Sequence, residues 1–106
     1  MAPTQLEIKV RALQRLVKEE AYYQEELKEQ IAHVESMKAK QNVDIYDLKK
    51  QEEVQQDTEK LLPTLYKKIE QFRDNLREFL KNYEGTEEVS DAHAAIEVAT
   101  DLLASR

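Results

Sequence analysis

Leu62, Leu65, Ile69, Phe72, Leu76, Phe79 and Tyr83 follow one another at steps of 3, 4, 3, 4, 3 and 4. Only a helix returns residues at that spacing to one face, and the alternation is that of an a/d seam packed against other helices. Three acid–base pairs three residues apart, Glu70–Arg73, Asp74–Arg77 and Glu78–Lys81, decorate the outside. Each is worth only about 0.2–0.5 kcal/mol, but together they mark a solvated face.

The seam needs partners, and the rest of the chain supplies them. With one Gly and two Pro in 106 residues, there is turn chemistry for two tight connections and none for a sheet. Charged residues make up 36% of the chain, and most others are strong helix formers, the composition of long helices. Disorder is the competing reading of so polar a chain. Leu, Ile, Val and Phe together number 26, however, which exceeds the roughly 20% typical of disordered chains, and they are periodic. The expected fold is all-α: an antiparallel three-helix bundle with spectrin-like, coiled-coil packing, forming one domain over residues 1–106.

Helix 1 is expected over about 4–40. Thr4 caps it with Glu7 completing a capping box. Leu6, Val10, Leu13 and Val17 form its early seam, and Leu16, Tyr23, Leu27, Ile31, Val34 and Met37 carry an apolar face onward, with a shift in the seam near Glu20. Asn42 suits a left-handed helix end and Asp44 caps the next helix. Helix 2 is expected over about 45–83, kinked near Pro63 rather than ended there, because the seam stays in phase across the proline. Gly85 then stops helix 2 as a left-handed C′ residue, and Thr86 caps helix 3 over about 87–103, with Val89, Ala92, Ile96, Ala99 and Leu103 buried. At 1.5 Å per residue the first two helices span about 55 Å each and the third about 27 Å. Helix 3 therefore covers only the start of helix 1 and the end of helix 2. The stretch from Lys49 to Thr58, with Val54 as its one clearly apolar residue, agrees: it predicts a polar two-helix end.

The same residues narrow the function classes. There is no Cys, hence no disulfide, thiolate metal site or cysteine nucleophile. No apolar run approaches the ~20 residues of a membrane span, and residues 1–7 have no apolar signal core, so a cytosolic protein is expected. The net charge of −6 disfavours nucleic acid. Di-iron bundles use Glu-x-x-His, but Gln30 precedes His33 by three and Ser90 precedes His93 by three. Both histidines read as ordinary surface or boundary residues, the carboxylates sit in exposed charge runs, and there is no Gly-rich phosphate loop. No catalytic, metal or cofactor-binding residues are expected; the protein reads as a non-enzyme that binds another protein.

The candidate partner-binding residues lie on two patches. Arg11, Arg15, Lys18 and Tyr22 form one stripe opposite the core of helix 1, at steps of 4, 3 and 4, with Ile8 at its edge. Arginine and aromatic residues anchor protein contacts, although a solvated charged face with an incidental Tyr has the same pattern. Tyr46, Lys49 and Lys50 form the second patch, where Tyr46 alternatively covers the bundle end. Tyr66 flanks the helix 2 seam as semi-buried core.

Ile8-Lys9-Val10, Arg15-Leu16-Val17-Lys18-Glu19, Tyr46-Asp47-Leu48-Lys49-Lys50-Gln51 and Leu62-Pro63, in this order and spacing, resemble the tubulin-folding cofactor A family. The resemblance covers roughly residues 8 to 80; after Gly85 it extends only to a short acidic helix. It implies a three-helix bundle and a cytosolic chaperone without nucleotide hydrolysis, which takes β-tubulin released from chaperonin and holds it before it pairs with α-tubulin. Monomer and homodimer both stay open, since family members include each. Without the resemblance, a structural or adaptor subunit of a larger coiled-coil assembly would be the first reading.

Overall fold

The structure, a computed structural model, describes residues 2–106. Thr4 has extended backbone, and its hydroxyl accepts a hydrogen bond from the Glu7 amide at 3.2 Å, which starts helix α1, Gln5–Ala39. The reciprocal half of the capping box is replaced. Glu7 turns forward to Arg11 (3.7 Å), and the Thr4 hydroxyl donates to the Glu87 carboxylate at 2.8 Å, tying the start of α1 to the distant connection before the last helix. Asp44 caps helix α2, Ile45–Lys81, by accepting from the Tyr46 amide at 2.8 Å. Asn42 does not adopt the left-handed conformation expected of it; α1 ends through Lys40, whose amide bonds the Met37 carbonyl, with extended backbone.

Pro63 lies inside α2 without ending it. A proline in a helix interior costs about 3 kcal/mol. Leu62, Leu65 and Ile69 are all buried around it, and each buried aliphatic side chain is worth about 1.5–3 kcal/mol, so packing outweighs the lost hydrogen bond.

The α2–α3 connection differs from expectation in three ways. Helix α2 stops at Lys81 with Asn82 as its C-cap. Gly85 has no positive φ and is not a C′ residue. Helix α3 is Ser90–Ser105, preceded by Val89 with no side-chain cap, so Thr86 is not its cap and Glu87 and Glu88 precede the helix. The cause is Tyr83. Its ring packs over Gly85, where an added Cβ would overlap the phenol, and its hydroxyl accepts from the Glu87 amide at 3.1 Å. Gly85 is needed for space, not for backbone freedom. Gly85→Ala should therefore displace the Tyr83 phenol from the Glu87 amide and lower stability by about 0.5–1.5 kcal/mol, the net worth of such a hydrogen bond. Urea denaturation reads this, and a midpoint equal to wild type would refute it.

Leu6, Val10 and Leu13 of α1, Leu62, Leu65, Tyr66, Ile69 and Leu76 of α2, and Ala92, Ala95 and Ala99 of α3 form one core. The alanines let α3 approach closely. Ala95 completes the α3 stripe, whereas Val89, Ile96 and Leu103 are only half-buried at its margins. Phe72, expected in the α2 seam, is 42% exposed. Helix α3 lies on the side of α2 that carries Leu80, with Arg106 reaching over the Tyr66 ring at 5.3 Å, and leaves the Phe72 side open. On the outer face the first expected ion pair is replaced: Arg73 bonds Asp74 at 3.0 Å, while Asp74–Arg77 (3.9 Å) and Glu78–Lys81 (3.7 Å) form as expected.

The molecule is a rod of 65 × 31 × 17 Å. Its radius of gyration is 19.0 Å, against about 13 Å for a compact domain of this length. The excess comes from the two-helix end that α3 does not reach. There Val34 and Thr58 are buried, while Ile31, Ile45, Val54 and Leu61 are exposed.

Candidate partner-binding surface

Because α1 buries Leu6, Val10 and Leu13 inward, its 3.6-residue period turns Arg11, Arg15, Lys18 and Tyr22 outward, and all four are exposed. Tyr22 is 68% exposed and braced edge-on against the half-buried Tyr23, ring centres 6.0 Å apart. It is a large aromatic group held on a rigid helix rather than a loop.

The stripe is not uniform. Arg11 pairs with Glu7 at 3.7 Å and borders the groove between α1 and α3 that also carries Glu87, Glu88 and Asp91. Lys18 lines the next stretch of that groove with Val17, Ala95 and Val98. Ile8, 53% exposed, lies at the other edge of the stripe, beside Arg15. There it lines a groove between α1 and α2 with Ala12 and Phe72. Lys9 closes the floor of that groove, donating to the Asn75 side-chain carbonyl at 2.6 Å and lying 5.5 Å from the Phe79 ring centre.

Tyr46, Lys49 and Lys50 are exposed at the tip of the two-helix end. Tyr46 is 66% exposed, so it does not cover the bundle end; the Lys50 ammonium sits over its ring at 5.1 Å. Tyr22 and the end of α1 at Ala39 are separated by about 25 Å of helix at 1.5 Å per residue. The two patches are therefore distinct surfaces.

Sequence reasoning missed two features. The first is the Phe72 groove. The second is a polar cluster inside the bundle. Glu20 is only 5% exposed and occupies a seam position, so the seam does not shift there; it admits a carboxylate. The Tyr66 hydroxyl donates to Glu20 at 2.6 Å, and the Gln24 amide donates to both, at 3.2 Å to Glu20 and 2.9 Å to Tyr66. Tyr66 is buried rather than semi-buried, and burial, followed by its bond to the carboxylate, pushes its hydroxyl pKa above the usual value, against smaller opposing effects of Gln24 and Arg106. The only signal in the sequence was Glu at a position where an apolar residue belonged. His33 and His93 are exposed, on different helices.

Residues 1–98 match the family model described as tubulin binding cofactor A. The chain belongs to the tubulin binding cofactor A family. It is 63% identical to tubulin-specific chaperone A of Saccharomyces cerevisiae over 106 residues, the whole of both chains. It is 33% identical to the human tubulin-specific chaperone A over 87 residues, covering 82% of this chain and 80% of that one. Its structure superposes on that of Rbl2p, a β-tubulin binding post-chaperonin cofactor, with a TM-score of 0.88 and 62% identity, covering 95% of this chain and 99% of that one. The tubulin binding cofactor A match runs past Gly85 into α3, further than the sequence blocks between residues 8 and 80 reach.

Proposed function

We propose that this chain is a non-enzymatic cytoplasmic chaperone that binds the β-tubulin monomer after its release from chaperonin and holds it until it pairs with α-tubulin. The observation that carries this reading is full-length likeness, in sequence and in fold, to a β-tubulin binding post-chaperonin cofactor. The geometry fits a holding role. All three helices share one core, so the outer face of α1 presents its side chains from a backbone that needs no ordering on binding. An unpaired β-tubulin exposes the surface meant for its partner, an aggregation liability. A protein that binds that folded monomer and not its unfolded chain stabilises it by mass action, with no chemical step. No helix among the described residues is long and apolar enough to cross a membrane.

Both chains are acidic, so overall charge does not favour the pairing. A local cationic surface does, and Arg15, Lys18 and Tyr22, with Arg11 at their edge and Ile8 on the adjoining groove, are assigned to the β-tubulin contact. Reversing Arg11, Arg15 and Lys18 to Glu should leave helix content unchanged, since all three are exposed, and reduce β-tubulin capture at least about tenfold, as expected for charges at an interface. Unchanged capture by the folded variant would remove the stripe from the site. Co-purification from cytosol tests the function itself: β-tubulin without α-tubulin is expected, and equal recovery of both would refute monomer capture.

A further inference from the structure

The tip of the two-helix end carries charge and apolar surface that the fold does not use. Between residues 38 and 50 stand Lys38, Lys40, Lys49 and Lys50 against Asp44 and Asp47. That makes the tip +2 while the rest of the chain, with 12 basic and 20 acidic residues, is −8. All four lysines are exposed, and among the described residues none lies within 4.0 Å of a carboxylate. Lys38 favours the negative end of the α1 dipole, which accounts for it locally. Lys49 and Lys50 have no such account: they stand in the second turn of α2, beside the positive end of its dipole. Ile45 and Tyr46 between them are 80% and 66% exposed, among the most exposed large apolar side chains described. Lys50 over the Tyr46 ring holds that ring in place as a platform.

We infer that this tip binds an acidic segment of the client protein, an extended peptide rich in Glu or Asp with an apolar residue that rests on Ile45 and Tyr46. The inference rests on the chaperone reading above and adds a second contact, about 25 Å of helix away from the α1 stripe. Charge complementarity selects the occupant. Four lysines without ion-pair partners among the described residues, in a segment of net charge +2, attract a polyanion to this end of an otherwise acidic chain. The interleaved Asp44 and Asp47, with Glu52 and Glu53 one turn on, disfavour the dense phosphates of nucleic acid and the continuous surface of an anionic membrane. A peptide can place its carboxylates between these charges and its apolar residue on the ring. Two contacts on one rigid rod would tether a flexible segment and a folded surface of the same client, and the second would bind at raised effective concentration.

The experiment uses the full chain, a fluorescent Glu-rich peptide containing one Phe, and anionic phosphatidylserine vesicles. Expected is salt-sensitive peptide binding, weakened about tenfold or more in the K49E/K50E variant and several-fold in Y46A, with unchanged thermal melting, and slower capture of β-tubulin by K49E/K50E at low salt. No peptide binding by the wild type, or equal binding by wild type and K49E/K50E, overturns the inference. So does tighter binding to the vesicles than to the peptide. Wild type that binds the peptide at the tip but never captures β-tubulin supports the tip and refutes the chaperone reading, so the two failures are distinguishable.

Discussion

Leu76→Ala is expected to lower the unfolding free energy by about 2–5 kcal/mol, the range for emptying a fully buried leucine site. Leu76 has no exposed surface and packs in the core that all three helices share. A domain of this size holds about 5–15 kcal/mol in total, so the loss removes a large fraction of the stability. Leu61→Ala makes the same chemical change in the same helix. Leu61 is half exposed, on the near side of Pro63, outside that core. Its replacement is expected to cost under about 1 kcal/mol, in line with the small transfer energy of a part-solvated side chain. Urea titrations of both variants compare the two. Equal losses would show that the two-helix end contributes as much as the three-helix body, contrary to the distribution of buried residues.

The second large effect lies in the Glu20–Tyr66–Gln24 cluster. Tyr66→Phe removes the donor at 2.6 Å from a carboxylate that is almost fully buried. Hydrogen bonds to charged groups are worth about 1.5–3 kcal/mol, and a buried carboxylate left short of donors keeps its desolvation cost. The single variant should lose that amount. Adding Glu20→Leu removes the charge as well and fills a seam position with an apolar side chain, so the double variant should regain most of the loss or exceed wild type. A double-mutant cycle with a coupling energy near zero would show that the cluster is incidental.

The same cluster sets a pH dependence. The Tyr66 hydroxyl has its pKa raised above 10.0, by burial first and by Glu20 second. Above pH 10 the unfolded chain has released this proton while the folded chain still holds it. The folded state then binds more protons, and stability falls as pH rises towards the folded value. Below about pH 10 the contribution is fully present. Tyr66→Phe should flatten this alkaline decline relative to wild type, and parallel curves for the two proteins above pH 10 would refute the assignment.

How much was legible in the sequence follows from how local each signal is. The α2 seam was visible because its repeat lies within one stretch of chain, and Asp44 and Thr4 were visible because a cap bonds amides two or three residues away. The connection after Lys81 was misread for the opposite reason. Gly85 and Thr86 carry the usual stop and start residues, but Tyr83 folds back over the glycine and takes the Glu87 amide, which moves the start of α3 to Ser90. The outward residues of α1 were legible because they are the complement of its buried ones. Which groove each would border was not, since that depends on where α3 lies: Arg11 and Lys18 meet α3, while Ile8 meets Phe72 on the far side.

The amphipathic period and the scarcity of turn residues were enough to specify three helices, their order and the unequal lengths, because helix formation and burial of a stripe depend on residues three and four apart. The side of α2 that α3 occupies was decided by packing between elements distant in sequence. That choice buried Tyr66, which flanks the seam, and left Phe72, a member of the seam, in the open. The packing of α1 on α2 placed Glu20 against the Tyr66 hydroxyl, 46 residues away, which is what makes a buried carboxylate tolerable in this core.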